Sequence, residues 1–144
     1  MRRLLLLALL LPAAALAQAV PPRLVVSIPG ACTTPLRLGA QQVPCAETGA
    51  VYAVLEDGRA FVAIPFGPRS AVNFVGTRDR HPSADTYALT LDYLRIVTDG
   101  TPRELRVAGE CQARLGRNGA WIDLGCAART ADGALYAVRF RPRA

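Results

Sequence analysis

The sequence predicts an all-β domain: an antiparallel meander of roughly eight to ten strands that forms a closed barrel or a curved sandwich, cross-linked by disulfides. Short apolar runs rich in β-branched and aromatic residues are separated by turn dipeptides such as Asp57-Gly58 and Asn118-Gly119. Residues 104–115 alternate between apolar and polar side chains, as a strand with one buried face does. Four cysteines give an even set.

The chain opens with MRRLLLLALLLPAAALAQA, in which two arginines precede an apolar run and small residues stand at Ala15 and Ala17. This pattern is typical of a secretory signal peptide over residues 1–17, with cleavage after Ala19 as the alternative. No apolar run approaches the ~20 residues that span a bilayer. We therefore expect a single β domain over residues 18–144, secreted to the periplasm or outside the cell, with no transmembrane segment after processing.

Arginine supplies all of the basic charge. The 17 basic residues outnumber the 11 acidic ones, and loss of Arg2 and Arg3 with the leader lowers the formal net charge from +6 to about +4. The arginines are not clustered in sequence, and no array of aromatic residues accompanies them. A nucleic-acid partner is therefore not expected.

The first predicted strand is Leu24-Val25-Val26, which follows two prolines. Cys32 and Cys45 then flank PLRLGAQQVP, where Gly39-Ala40 can turn a short hairpin. Such a hairpin brings the two cysteines together, so we predict the disulfide Cys32–Cys45.

The segment VYAVLEDGRAFVAIP contains two apolar strands around Asp57-Gly58. A two-residue turn at this dipeptide places Ala53 opposite Val62. Because both faces of these strands are apolar, residues 51–66 are predicted to lie centrally in the fold or to cover a partner.

Residues 70–76 are predicted to form a further strand, and the polar residues 77–85 a loop. Residues 86–97, TYALTLDYLRIV, have some helical spacing, but strict alternation and β-branched residues favour a strand. The alternation changes phase near Asp92, which predicts a bulge or a bend.

Asn118-Gly119 is the dipeptide that most favours a two-residue type I′ turn, because both positions need positive φ. The turn sets three facing pairs: Leu115 and Ile122, Ala113 and Leu124, Cys111 and Cys126. Facing residues on neighbouring strands have Cα separations of about 5.5 Å, which suit a disulfide. We therefore predict Cys111–Cys126, since zinc ligands or a redox pair would be closer in sequence.

The last strand lies in ALYAVRFR. A two-residue turn at Asp132-Gly133 would place Arg139 opposite Cys126 and bury it. A three-residue loop, with Gly133 in the left-handed conformation, places Val138 opposite Cys126 instead. Hydrophobic matching selects the three-residue loop.

These registers place several polar side chains on one solvent-facing side of the last strands. The candidate binding surface comprises one tryptophan and four arginines: Trp121, Arg114, Arg139, Arg141 and Arg143. Guanidinium groups beside an exposed aromatic ring suit a phosphate, a sugar acid or an anionic polymer. The alternative is a solvated sheet face, on which Asp123 neutralises arginines and Trp121 covers Gly116.

The polar stretch 77–85 holds Asp79, the single histidine His81, Ser83 and Asp85. These side chains could ligate a metal, but residues two apart in a short loop cannot adopt the geometry of a Ser-His-Asp triad, and no G-x-S-x-G motif is present. Such residues are also common in ordinary loops. We therefore predict no catalytic residue, no metal site and no cofactor.

The favoured function is a small exported, non-catalytic β module that binds an envelope protein or an anionic glycan, through the arginine and tryptophan surface or the apolar strands 51–66. One alternative is a barrel that carries a small apolar ligand. Its lining would be Tyr52, Phe61, Phe74, Tyr87, Leu89 and Tyr136. The other alternative is a hydrolase that uses scattered acids or His81, which requires a cleft with two convergent titratable groups.

Overall fold

A computed structural model describes residues 20–143 of the 144-residue chain, so the predicted signal peptide lies outside the described residues. Eleven antiparallel strands form one sheet. In chain order they are β1 (Pro22–Ile28), β2 (Gly30–Cys32), β3 (Leu36–Leu38), β4 (Gln41–Val43), β5 (Ala50–Leu55), β6 (Ala60–Gly67), β7 (Ser70–Ser83), β8 (Thr86–Thr98), β9 (Thr101–Leu115), β10 (Trp121–Arg129) and β11 (Leu135–Pro142). The all-β antiparallel prediction is confirmed. The count exceeds eight to ten because β2, β3 and β4 have only three residues each.

The sheet is curved but not closed. Within residues 20–143 the hydrogen-bonded path runs β1-β5-β6-β7-β8-β9-β10-β11-β3-β4, with β2 beside β11, and no ladder joins its two ends. The closed barrel is therefore not supported, and the fold is a curved sandwich. Its curvature brings Tyr52 of β5 against Tyr87 of β8 and Trp121 of β10, with ring centroids 5.0 and 5.5 Å away.

Pro29 is where the chain changes partners. β1 pairs with β5, whereas β2, which follows after Pro29 alone, pairs with β11. Proline lacks the N–H that a continuous ladder needs, so a break at this position costs no hydrogen bond. The Pro29 carbonyl instead accepts a hydrogen bond from the Arg143 N–H at 2.8 Å.

The registers predicted for the last three strands are confirmed over most of their length. Cys111 pairs with Cys126, and Cys126 pairs with Val138. Gly133 has φ +89°, as the three-residue loop requires. Both predicted disulfides are present, with Cα separations of 6.0 Å for Cys32–Cys45 and 4.0 Å for Cys111–Cys126.

The register predicted for the β5–β6 hairpin is wrong by one residue. Ala53 pairs with Phe61 rather than Val62. The loop has three residues, 56–58, closed by the Leu55 N–H donating to the Arg59 carbonyl at 2.7 Å, with Gly58 at φ +86°. It is the same kind of loop as residues 131–133, because a left-handed glycine ends each.

The predicted polar loop 77–85 is also wrong. β7 continues to Ser83, and its polar residues pair with β8: Arg78 with Thr90, and Arg80 with Ala88. Pairing with β6 ends at Gly76, so residues 77–83 extend past β6 and pair with β8 alone, and we call this segment the β7–β8 arm. The residues are polar because this arm is exposed, and its backbone is nonetheless paired.

The strand prediction for residues 86–97 is confirmed. Tyr87, Leu89 and Leu91 are buried, and the register with β9 shifts between Leu91 and Tyr93, where a bend near Asp92 was predicted. Across the core, inward side chains of all the long strands pack in one cluster. The described chain contains no helix with the length and apolar character that a bilayer crossing requires.

Candidate functional site

Trp121 does not lie on the solvent-facing surface where the sequence placed it. The register of β9 and β10 shifts between Trp121 and Asp123, so Trp121 pairs with Leu115 and packs partly buried against the core. Ile122, which the predicted register placed opposite Leu115, is 47% exposed. Trp121 therefore does not belong to the predicted surface, whereas Arg114 and Arg139 keep the predicted register on it.

The shift arises in the turn. Residues 117–119 form a 3-10 turn in which Asn118 has φ +65° and Gly119 φ +72°, so the predicted left-handed pair is present. However, the Gly116 N–H bonds to the Ala120 carbonyl at 2.6 Å, which gives a longer loop than the type I′ turn. The extra residue forms a β-bulge at Ile122. Because of this bulge, Trp121 packs against the core and Ile122 faces solvent, the reverse of the predicted arrangement. Ile122, not Trp121, covers Gly116.

An open groove of about 900 Å³ crosses the outer face of the sheet, the face directed away from the core. Small residues of β10 and β11 form its floor: Gly125, Ala127 and Ala137. Arginines surround this floor: Arg37 of β3, Arg114 of β9 and Arg139 of β11. Thr34 and Pro35 continue the groove into a smaller depression beside Cys32–Cys45.

The register arranges the three arginines on a diagonal. Arg139 of β11 and Gln112 of β9 lie opposite each other across β10, and Arg114 is two residues after Gln112 on β9. Arg37 of β3 pairs with Ala137, which is two residues before Arg139 on β11. With ~4.8 Å between strands and ~3.4 Å per residue, the Cα atoms are roughly 12 Å apart from Arg114 to Arg139 and roughly 8 Å apart from Arg139 to Arg37. No bulky side chain fills the space between them, because the floor residues are glycine and alanine.

Three arginines and two acidic residues, Asp123 and Glu110, line the groove, so its lining has a net charge of +1. Arg114 Nε lies 3.9 Å from Asp123 Oδ2, and both side chains are exposed, so the pair is worth at most ~1 kcal/mol. Glu110, which also lines the groove, forms a salt bridge with Arg80 at 2.5 Å, and Arg80 lies outside the lining. Among residues 20–143, Arg37 and Arg139 form no salt bridge. Arg37 Nε donates a hydrogen bond to the Gly39 carbonyl at 3.2 Å, and the remaining N–H groups of the two guanidinium groups are available to an anion.

Only part of the predicted arginine set lies in the groove. Arg114 and Arg139 line it, whereas the exposed Arg141 and Arg143 do not. Arg37 was missed in the sequence. Its place between two buried leucines of β3 indicates that it points outward, but only the non-local pairing of β3 with β11 brings it to Arg139.

A second cluster, which we call the phenol cluster, lies at one end of the core: Tyr52, Asp79, His81, Tyr87 and Trp121. The Tyr52 hydroxyl donates a hydrogen bond to Asp79 Oδ2 at 2.5 Å. The rings of His81 and Trp121 each lie 5.6 Å from the Tyr87 ring. Asp79 and His81 reach this position because the β7–β8 arm extends past β6, which the loop prediction could not indicate.

The two phenols of this cluster stay protonated at neutral pH. Burial, and next the hydrogen bond to Asp79, raises the pKa of Tyr52. Burial, and next the neighbouring Tyr52 hydroxyl, raises the pKa of Tyr87. The Tyr87 hydroxyl is the one buried side-chain polar atom of residues 20–143 without a hydrogen-bond partner of good geometry.

Ser83 and Asp85, grouped with His81 in the sequence, do not join the phenol cluster. The Ser83 hydroxyl bonds to Asp85 at 2.5 Å and to Thr86 at 2.8 Å, which closes the turn between β7 and β8. The Ser83 hydroxyl also lowers the pKa of Asp85. Residues 20–143 contain no group of three or more histidine, cysteine or acidic side chains arranged to hold a metal.

Most side chains that an apolar-ligand carrier would use as its lining fill the core instead. Phe74 and Leu89 have no exposed surface, and Tyr87 has 1%. A ligand-sized cavity would leave surface exposed on its lining, so none adjoins these residues. Phe61 pairs with Ala53 and is only partly buried.

No family model, curated protein or solved structure matches this chain. Function is therefore inferred from the chemistry of the groove and of the phenol cluster alone.

Proposed function

We propose that this protein is a small exported, non-catalytic β module that binds an anionic glycan of the cell envelope in the groove between Arg114, Arg139 and Arg37. The observation that carries the proposal is three guanidinium groups around a floor of glycine and alanine. Two disulfides suit an oxidising compartment such as the periplasm or the extracellular space. The leader-like residues 1–17 support export to that compartment.

An extended anionic polymer fits this surface better than a folded protein does. Guanidinium groups form bidentate hydrogen bonds with carboxylate, sulfate or phosphate. Their diagonal spacing lets successive charged groups of one chain meet successive arginines. A stable protein interface would instead have large apolar and aromatic side chains at its centre, and the groove floor has only glycine and alanine.

Each contact is exposed to solvent, so the binding should be weak per contact and sensitive to salt. At about 1 M ionic strength the Debye length falls to about 3 Å, which screens such contacts. Affinity would then come from several contacts made along one polymer.

The test compares two double variants with the same change in net charge. Arg114→Glu/Arg139→Glu reverses two charges inside the groove, and Arg141→Glu/Arg143→Glu reverses two outside it. Retention is measured on immobilised polygalacturonate, a carboxylated polysaccharide, with dextran as the neutral control. We expect the groove variant to lose at least about tenfold in affinity, equivalent to ~1.4 kcal/mol, and the other to lose much less.

Three results would contradict the proposal. Equal losses in both variants would mean that net charge, not the groove, retains the protein. Failure of the unaltered protein to bind any carboxylated, sulfated or phosphorylated polymer would exclude an anionic glycan as its ligand. Recovery of one envelope protein, lost in the groove variant, would assign the groove to a protein partner.

A further inference from the structure

Three side chains of the phenol cluster carry oxygen donors. Tyr52 and Asp79 are joined by the 2.5 Å hydrogen bond, and the Tyr87 ring packs edge-on against the Tyr52 ring with centroids 5.0 Å apart. Even so, Tyr87 forms no hydrogen bond of good geometry, and its side chain is 1% exposed. A buried hydroxyl without a partner is unfavourable, so this oxygen is suited to a ligand that the protein itself does not supply.

The packing of the rings limits what that ligand can be. The rings of Tyr52, Tyr87 and Trp121 lie 5.0 to 5.6 Å apart in edge-on and tilted contacts, so they touch one another. No space remains between their faces for an organic ammonium ion. A sugar cannot reach the buried Tyr87 oxygen. A single metal ion is smaller than either of these ligands, and the exposed side chains of Asp79 and His81 give it access to the cluster from solvent.

The donor atoms favour a hard cation with three charges. Phenolate and carboxylate oxygens are hard donors, and both tyrosine and imidazole are known ligands of iron. Two phenolates and one carboxylate carry three negative charges, which a trivalent ion neutralises. A neutral assembly is preferred in a partly buried site, whereas a divalent ion would leave one charge uncompensated.

We propose that Tyr52, Tyr87 and Asp79, with His81 as a fourth donor, form a binding site for ferric iron. Each phenol releases its proton to solvent as its oxygen bonds to the ion, and the iron does not change oxidation state. Two protons are therefore released per ion bound.

The test uses the tyrosines as matched variants. The chain has four, two in the cluster and two outside it, Tyr93 and Tyr136. Ferric nitrilotriacetate is added to the full protein, and the visible phenolate-to-iron charge-transfer band is recorded together with quenching of Trp121 fluorescence. We expect the band in the unaltered protein, its loss in Tyr52→Phe and Tyr87→Phe, and its retention in Tyr93→Phe and Tyr136→Phe.

Folding of the variants is checked by urea unfolding. Tyr87→Phe removes only the unpartnered hydroxyl, so it should fold at least as stably as the unaltered protein, and loss of its band then reports lost coordination. Absence of the band in the unaltered protein would overturn the proposal. Its persistence in both Tyr52→Phe and Tyr87→Phe would do so as well, because the iron would then lie elsewhere.

The pH dependence gives a second readout. Because binding displaces two protons, the apparent affinity should rise about 100-fold per pH unit while both phenols are protonated in the free protein. An affinity independent of pH would exclude phenolate coordination. The Arg114→Glu/Arg139→Glu variant should keep the charge-transfer band, so the iron-site proposal and the groove proposal are tested independently.

Discussion

The early part of the chain, residues 22–67, and the late part, residues 70–142, are built differently. The late strands β7 to β9 have 13 to 15 residues, and each late strand pairs with the next one in sequence. The early strands have three to eight residues, and several pair far away: β1 with β5, and β2 and β3 with β11.

This difference indicates that the late strands provide the sheet edge on which the short early strands assemble. Local turns set the late registers, so the late strands form a ladder by themselves. The short strands β2 and β3 gain their place only from the finished edge of β11. The two disulfides follow the same division. Cys111–Cys126 joins residues that already pair directly, and Cys32–Cys45 ties β2 to the end of the β3–β4 hairpin.

The largest expected effect comes from removing each disulfide. The bonds span 15 and 13 residues, so the loss of chain-entropy stabilisation should be similar, ~3 kcal/mol each. Cys111 and Cys126 are 0% and 3% exposed, so Cys111→Ala/Cys126→Ala also loses buried contacts and should total about 4 to 5 kcal/mol. Cys32→Ala/Cys45→Ala should lose about 3 kcal/mol. Urea unfolding measures both.

Hydrogen exchange further distinguishes the effects of removing the two disulfides. Loss of Cys32–Cys45 should release protection in β2 to β4 first and leave β7 to β11 protected. If β7 to β11 lose as much protection as β2 to β4, the early part of the chain does not depend on the late part, and the proposed difference between them is wrong.

The two Asp-Gly hairpins show how far the sequence determines the register. Around Asp132 the flanking strands have one polar face, so an error of one residue would bury Arg139, and the correct loop could be selected. Around Asp57 both faces are apolar, so both registers bury similar side chains and the sequence does not discriminate. The late registers were therefore predictable, and that of β5 and β6 was not.

The candidate sites were less predictable than the strands. The bulge that turns Trp121 inward depends on a loop only one residue longer than the expected turn. Arg37 reaches the groove, and Asp79 reaches Tyr52, through pairings between residues distant in sequence. Periodicity reports which face a side chain takes, but not which strand lies beside it.

Glycine substitutions should give an intermediate effect. A Cβ at Gly109 would lie 2.1 Å from the Ala127 carbonyl oxygen, inside the late ladder, so Gly109→Ala should cost about 1 to 3 kcal/mol. At Gly30 the Cβ would lie 2.3 Å from the Arg141 carbonyl oxygen and 2.8 Å from the buried Phe140 ring. Because β2 is a three-residue strand, it can shift, and Gly30→Ala should cost about 1 kcal/mol. Urea midpoints compare the two.

Gly125 is the matched control. Its Cβ would meet only the Val138 carbonyl oxygen, at 3.7 Å, so Gly125→Ala should change stability by less than ~0.5 kcal/mol. A larger cost at Gly30 than at Gly109 would mean that β2 is held as rigidly as the long strands, which contradicts the proposed difference.

The smallest expected effect concerns Asp57 and Asp132, which occupy the same position in an early and a late loop. The Arg59 backbone N–H, followed by its guanidinium, holds the pKa of Asp57 below 3.8. The Thr130 hydroxyl does the same for Asp132. A lowered folded pKa means that each carboxylate stabilises the fold above about pH 4 and loses this effect as pH falls through the folded pKa. Asp57→Asn and Asp132→Asn should each flatten the acid side of the stability curve.

The effect of salt on stability should distinguish these two loops. Asp57 pairs with the Arg59 cation at 2.6 Å, whereas Asp132 accepts its hydrogen bond from the neutral Thr130 hydroxyl. About 1 M sodium chloride screens exposed ion pairs and should reduce the effect of Asp57→Asn but not that of Asp132→Asn. Urea midpoints measured at several acidic pH values, with and without salt, make the comparison. Equal salt sensitivity would mean that the guanidinium adds nothing at the early loop, and that the two loops hold their aspartates through hydrogen bonds alone.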